Sequence, residues 1–95
     1  MTVALMWEAR AAEGRGAELL EWVRDQRLPG GEHGERGERG EPLRRETFAA
    51  PGDRVLVIVW WPGTYDAVVP ELPDPPGELV RRPVHRWRFE SLESY

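Results

Sequence analysis

The fold is decided by residues 50–61, which read APGDRVLVIVWW. Pro51 presets its own φ and Gly52 permits a positive φ, and this order of residues is typical of a type II turn. The residues after the turn, 54–61, are apolar at both alternating sets of positions, as in a strand that is covered on both faces. Residues 43–49, before the turn, place polar side chains on both faces, which favours an edge strand. The stretch therefore predicts a β-hairpin whose second strand lies in the centre of a sheet.

Two further strands are predicted, one near each end of the chain. Residues 2–10 carry apolar side chains on both faces, and we expect them to form the other central strand. Residues 84–92 alternate more regularly, because His85, Trp87 and Phe89 share one face and charged residues share the other. We expect the apolar face of this strand to meet the core and its charged face to protect a sheet edge.

A helix, a loop and a connector complete the chain. Residues 14–28 predict an amphipathic helix, because their apolar side chains recur at helical spacing. Residues 29–42 contain no apolar anchor and predict a flexible loop rich in Gly, Glu and Arg. Residues 62–83 are rich in proline and predict an extended connector. Within it, Thr64 can cap a shortened second helix that Pro70 limits to a turn or two.

The order of these elements is strand, helix, strand, strand, shortened helix and strand. With the first and third strands in the middle, this is the order of a split βαβ, ferredoxin-like sandwich with a four-stranded antiparallel sheet. Residues 1–95 are therefore expected to form a single α+β domain. Helices cover one face of such a sheet, and the apolar residues on its other face need a second cover. Because closed two-fold dimers are the commonest oligomers, we expect a homodimer in which a second copy supplies that cover.

Composition excludes several kinds of site and partner. The chain has no cysteine, which excludes disulfides and thiolate–metal sites, and no spacing of His, Asp and Glu matches a metal geometry. Its net charge is −4, and this acidic balance argues against nucleic acid or an anionic membrane as a partner. The sequence shows neither a leader nor an apolar run long enough to span a bilayer, so we expect a cytoplasmic protein. All 13 basic residues are arginine, a bias typical of a GC-rich bacterial genome.

Several segments resemble the dimeric α/β-barrel proteins of the antibiotic biosynthesis monooxygenase family. They are ALMWEA at 4–9, GAELLEWV at 16–23, PG at 29–30, DRVLVIVWW at 53–61 and VHRWRF at 84–89. The resemblance implies a homodimer with a pocket between sheet and helices in each subunit. It also implies an activity, since some members oxidise phenolic or quinol-type aromatic molecules with dioxygen and without a cofactor, whereas relatives degrade haem.

Two departures from the family pattern bear on this activity. The haem-degrading relatives carry their haem-ligating histidine on the second helix, and residues 62–83 contain no histidine. Active members often carry an asparagine on the first strand, and this chain has no asparagine. Haem degradation is therefore not expected, and we predict no cofactor.

Resemblance and residue chemistry together suggest five candidate site residues. Trp61 matches a strand-ending tryptophan that lines the family's pocket, and Trp7 and Trp87 are further candidates for an aromatic wall. Tyr65 can donate a hydrogen bond to a ligand, and His85 is the candidate general base. Each also has a structural interpretation. The aromatic residues can pack in the core or in a dimer interface, and the histidine can be a hydrogen-bonded structural group.

The sequence leaves two functions open, and it does not decide whether the chain is an enzyme. The first is a cofactor-independent monooxygenase-like protein acting on an aromatic small molecule, with His85 as its base. The second is a non-catalytic dimeric module that binds a small ligand or a protein partner. Arg86 and Arg88 fit either function, because they can hold an anionic ligand or simply protect an exposed sheet edge.

Overall fold

The computed structural model describes residues 1–28 and 42–93. The predicted flexible loop, residues 29–42, lies outside the described residues except for Pro42. Among the described residues, no helix is long and apolar enough to cross a membrane. In chain order, the elements are β1 (Thr2–Arg10), α1 (Gly16–Arg24), β2 (Arg44–Ala50), β3 (Arg54–Pro62), a 3-10 turn (Gly77–Leu79) and β4 (His85–Ser91).

The strands form a four-stranded sheet in the order β2-β3-β1-β4. β1 pairs with β3 and with β4, and β3 also pairs with β2, in each case antiparallel. The two strands that the sequence marks as apolar on both faces, β1 and β3, are therefore the central pair, and β2 and β4 are the edges. This arrangement confirms the predicted α+β domain with a four-stranded antiparallel sheet.

α1 covers one face of the sheet, which we call the helix face. Leu19 and Val23 of α1 are fully buried in this layer. The rings of Trp7 and Trp22 stack within it, with centroids 6.3 Å apart and an interplanar angle of 23°. Burial of each large apolar side chain contributes about 1.5–3 kcal/mol, so this layer is the main hydrophobic core of the described residues. The buried strand residues of the helix face are Val3, Leu5, Trp7 and Ala9 of β1 and Val55, Val57, Val59 and Trp61 of β3.

The predicted hairpin turn joins β2 to β3 through Pro51, Gly52 and Asp53. Gly52 has a φ of 85°, which is the positive value that the predicted turn requires, and Asp53 follows at 61°. The Asp53 carbonyl accepts a hydrogen bond from the Ala11 N–H at 2.8 Å. The turn is therefore fixed to the chain just after β1 as well as to its own hairpin.

α1 is shorter than the helix predicted over residues 14–28. It ends at Arg24, and Arg45 of β2 then donates to the carbonyls of Val23 and Gln26, both at 2.7 Å. These two bonds satisfy carbonyls that would otherwise accept from a further helical turn. Burial lowers the pKa of the Arg45 guanidinium from its ordinary value. A side chain from a neighbouring strand thus caps the end of the helix, a contact that the local sequence does not predict.

The shortened second helix predicted after Thr64 is not formed. The segment makes one turn, closed by a bond from the Ala67 N–H to the Thr64 carbonyl at 3.0 Å, and continues without helix as far as Pro76. The prolines of this segment lack the N–H groups that would extend a helix. The prediction is therefore corrected: the connector is extended, and its one helical element is the 3-10 turn at Gly77–Leu79.

The faces of β4 are reversed relative to the sequence prediction. Trp87 pairs with Met6 of β1, so the two side chains share the sheet face away from α1. In this chain Trp87 is 45% exposed and Phe89 is 54% exposed, so neither is in the core. Arg86 and Arg88, which we expected at a solvent-facing edge, lie on the helix face and bind the connector. The physical reason is that the proline-rich connector covers this side of β4 and presents carbonyls that need donors.

No described helix covers the second face of the sheet, which we call the open face. Its apolar side chains are half-buried on the central strands and exposed on the edge strands, where Phe48 is 37% exposed. The open face carries Ala4, Met6 and Glu8 of β1, Leu56, Ile58 and Trp60 of β3, Arg44, Glu46 and Phe48 of β2, and His85, Trp87 and Phe89 of β4.

Candidate functional site

A pocket of about 300 Å³ lies between the helix face of the sheet and the connector. Pockets that take small molecules measure roughly 300–1,000 Å³, so this volume suits a compound of one or two rings. The sheet side includes Leu5, Trp7 and Val59, which provide an apolar floor. The lining also includes Tyr65, Pro70, Glu71 and Leu72 of the connector and Arg86 and Arg88 of β4.

Trp7 is held on two sides. Its ring stacks on Trp22 of α1, and its indole N–H donates to the Pro73 carbonyl of the connector at 3.3 Å. The hydrogen bond joins β1 to a segment 66 positions later in the chain. Trp7 therefore ties the floor of the pocket to the wall above it.

Two arginines of β4 fasten the connector over the pocket. Arg88 Nη1 donates to the carbonyls of Tyr65 and Ala67, at 2.8 and 2.7 Å. Arg86 Nη1 donates to the Leu72 carbonyl at 2.7 Å. A proline-rich segment has few N–H donors of its own, so these guanidinium groups satisfy carbonyls that regular structure would otherwise satisfy. The position of the pocket wall therefore depends on both arginines.

Two carboxylates of the connector contact the same arginines. Asp74 accepts a hydrogen bond from Arg86 Nη2 at 2.7 Å. Glu71 bridges the pair, with Oε1 3.5 Å from Arg86 Nη1 and Oε2 3.4 Å from Arg88 Nη2. Both distances exceed the roughly 2.7–2.9 Å of strong charge-assisted hydrogen bonds. Glu71 therefore makes the longest contacts of this cluster, and its side chain is 47% exposed.

A second polar cluster, which the sequence interpretation misses, surrounds Glu8 on the open face. Glu8 is 6% exposed, and its carboxylate accepts hydrogen bonds from Arg82 at 2.7 Å and from Arg54 at 3.2 Å. His85 Nδ1 lies 3.7 Å from the same carboxylate. Burial alone would raise the pKa of Glu8, but the hydrogen bonds and charges of Arg82 and Arg54 outweigh burial and hold that pKa below its ordinary value. The ionised carboxylate therefore joins β1, β3 and the end of the connector.

The five residues predicted from the sequence do not converge on one site. Trp7, Tyr65 and Trp87 border the pocket. Trp61 is fully buried on the helix face beyond the pocket lining, and its indole N–H has no hydrogen-bond partner in the described part of the chain. His85 lies on the open face, where its ring meets Trp87 edge-on with centroids 5.7 Å apart. The sheet therefore separates the candidate base from the floor of the pocket.

The open face has a groove of its own, with a volume of about 220 Å³. Its charged groups, Glu8 and Arg54, are paired with each other. The groove therefore presents an apolar surface in which the charges are already compensated. The rest of its lining includes Met6, Phe48, Leu56 and Trp87.

Within residues 1–28 and 42–93, no group of three or more His, Cys, Asp or Glu side chains is placed to hold a metal ion. Comparison of the chain with models of known protein families, with curated proteins and with solved structures found no match. Function is therefore inferred from the pocket and from the open face.

Proposed function

We propose that this chain is a non-catalytic homodimeric module that binds an aromatic small molecule in each subunit. Each subunit is a ferredoxin-like unit, and two open faces pack against each other to form a dimeric α/β barrel. The observation that carries the proposal is the exposure of Phe48, Trp87 and Phe89 on the sheet face opposite α1. Contiguous exposed apolar surfaces of this kind mark interaction sites.

The open face has the chemistry and the extent of a two-fold interface. Aromatic side chains bury about 150–250 Å² each, and a stable interface buries about 800 Å² on each partner. Because Phe48, Trp87 and Phe89 are 37%, 45% and 54% exposed, they can supply only part of this area, and the half-buried side chains between them on β1 and β3 must supply the rest. Packed sheets lie about 10 Å apart, which accommodates one interdigitated layer of such side chains. The same surface on both subunits gives a closed, isologous contact.

The charged groups of the open face are compatible with this contact. Glu8 is paired within its own chain, as described above. Arg44 lies over the Trp60 ring, 5.1 Å from its centroid, and also pairs with Glu46. Burial of charges that already have partners within the subunit is far less costly than burial of lone charges.

Binding rather than catalysis is proposed because of the groups that line the pocket. The floor of Leu5, Trp7 and Val59 suits the flat face of an aromatic ring. The one carboxylate of the lining, Glu71, is placed as the counter-ion of the guanidinium groups of Arg86 and Arg88. A monooxygenase-type reaction in this pocket would need a general base, and His85 lies across the sheet from the pocket floor.

A tryptophan-fluorescence titration tests the binding function. The protein is titrated with phenols, quinols and naphthoquinones, and we expect saturable quenching by at least one of these classes because Trp7 lines the pocket. The response should be lost or weakened in Trp7→Phe. It should persist in Trp60→Phe, since Trp60 lies on the open face. The absence of a saturable response to every probe would contradict the proposal.

A further inference from the structure

We infer that the pocket selects ligands that carry a carboxylate, which binds between Arg86 and Arg88 in the position that Glu71 occupies. The inference rests on the proposed function, because it names the chemical class of the ligand that the pocket binds. The ring of such a ligand lies on the apolar floor, and its carboxylate faces β4.

The two guanidinium groups form a preorganised pair at the pocket. Arg86 and Arg88 are separated by one residue of β4, so they share a sheet face with Cα atoms about 6.4–6.8 Å apart. Both line the pocket, and their side chains are 33% and 24% exposed. The main-chain carbonyls that anchor them carry no net charge, so the anchors fix the guanidinium groups without neutralising them. Fixed, charged guanidinium groups are the preferred recognition element for a carboxylate.

The positive charge of Arg88 is the less compensated of the two. Arg86 has a close carboxylate partner in Asp74, at 2.7 Å. Among the described residues, the carboxylate within ion-pair distance of Arg88 is that of Glu71, at 3.4 Å. Glu71 shares its charge with Arg86 at 3.5 Å, and half-exposed pairs at such distances contribute little to stability.

The Glu71 carboxylate occupies the position between Arg86 and Arg88 that we assign to the carboxylate of a ligand. It belongs to the pocket lining, and it presents one oxygen to each arginine, which is the geometry of a bridging carboxylate. The carbonyl bonds of the two arginines hold the connector independently of the Glu71 side chain. That side chain can therefore turn toward solvent while the pocket wall stays in position. A ligand carboxylate is not tethered to the connector, so it can shorten both contacts to about 2.7–2.9 Å.

Calorimetric titration with benzoate and 1-naphthoate, each compared with its primary amide, tests the inference. Each amide keeps the ring and the shape of the acid but lacks the charge. We expect the carboxylates to bind about tenfold more tightly than the amides, because hydrogen bonds between charged groups are the stronger kind. Glu71→Gln should raise the carboxylate affinity a further several-fold and leave the amide affinity unchanged, since it removes a competing and repelling charge.

Asp66→Asn is the matched control for the change in charge. Asp66 belongs to the same connector but is exposed and outside the pocket lining, so both affinities should stay unchanged. Arg88→Gln should abolish the preference for the carboxylate, with circular dichroism to verify the fold. If acids and amides bind with equal affinity, and if Glu71→Gln changes neither affinity, the carboxylate inference is overturned. The binding function would still stand. Failure of all four probes to bind would also overturn the carboxylate inference, whereas the binding function itself is decided by the fluorescence titration with phenols, quinols and naphthoquinones.

Discussion

Trp87 lies opposite Met6 in the pairing of β4 with β1, and this register places both side chains on the open face. The alternation of β4 then places Phe89 on the same face and turns Arg86 and Arg88 toward the connector. One register thus produces two features, an exposed apolar surface on the open face and an arginine pair that borders the pocket.

A charge introduced on the open face is expected to break the proposed dimer. Phe89→Glu places a carboxylate among apolar side chains, where it would lose water without gaining a partner. We expect the dissociation constant of the dimer to rise about 30-fold or more, as for an interface hot spot. Val68→Glu is the control, because Val68 is 97% exposed on the connector, away from the open face. If sedimentation equilibrium gave the same dimer dissociation constant for Phe89→Glu and Val68→Glu, pairing through this face would be contradicted.

Glu8→Gln is expected to destabilise the fold in a pH-dependent way. The pKa of Glu8 is lowered in the folded chain, so its carboxylate stabilises the fold above the ordinary value of 4.5, and this contribution is lost as the pH falls through the lowered value. At neutral pH the substitution leaves Arg54 and Arg82 without a charged partner and should cost about 1–3 kcal/mol. In urea unfolding at neutral pH, the free energy of unfolding of Glu8→Gln should therefore be lower than that of the unmodified protein. The two values should converge in acid. A gap of the same size at both pH values would contradict the assigned role.

Two buried tryptophans should respond differently to the same substitution. Trp7→Phe loses the hydrogen bond to the Pro73 carbonyl, whereas Trp61→Phe removes an indole N–H that has no partner among the described residues. Because both changes remove similar volume, we expect Trp61→Phe to destabilise the protein less, by about 1–2 kcal/mol. Denaturant unfolding of the two variants gives this difference directly. A larger loss of stability for Trp61→Phe than for Trp7→Phe would mean that the Trp61 N–H has a hydrogen-bond partner in the folded protein.

His85→Ala is expected to leave ligand binding in the pocket unchanged. The histidine contacts Glu8 and Trp87 on the open face, and although Trp87 also borders the pocket, the floor of Leu5, Trp7 and Val59 lies on the other face of the sheet. The fluorescence titration described above measures the effect. Dioxygen consumption with a phenolic substrate that depends on His85 would contradict the non-catalytic assignment and support the monooxygenase-type alternative.

The architecture of the sheet could be predicted from the sequence because its signals are local. Residues 2–10 and 54–61 carry apolar side chains on both faces, and they form the central strands. Pro51 and Gly52 specify the turn between β2 and β3 by their own backbone preferences. Such signals need no knowledge of the rest of the chain.

The orientation of β4 could not be predicted in this way. Alternation shows that His85, Trp87 and Phe89 share a face, but it does not show which face meets the core. That choice depends on the connector, whose carbonyls take their donors from Arg86 and Arg88.

The Glu8 cluster escaped prediction for a similar reason. Its partners, Arg54 and Arg82, lie 46 and 74 positions further along the chain. The one local signal was an acidic residue between Trp7 and Ala9 in an otherwise apolar central strand. A charge in such a position requires buried partners, and this rule would have marked the site.

The mass of the unmodified protein in solution tests the central claim most directly. Light scattering at micromolar concentration should give the mass of two chains of 10.9 kDa each, since we propose that a second copy covers the open face. Dilution should then shift this mass toward that of one chain without loss of secondary structure. A stable mass of one chain at micromolar concentration would contradict pairing through the open face and the dimeric barrel with it.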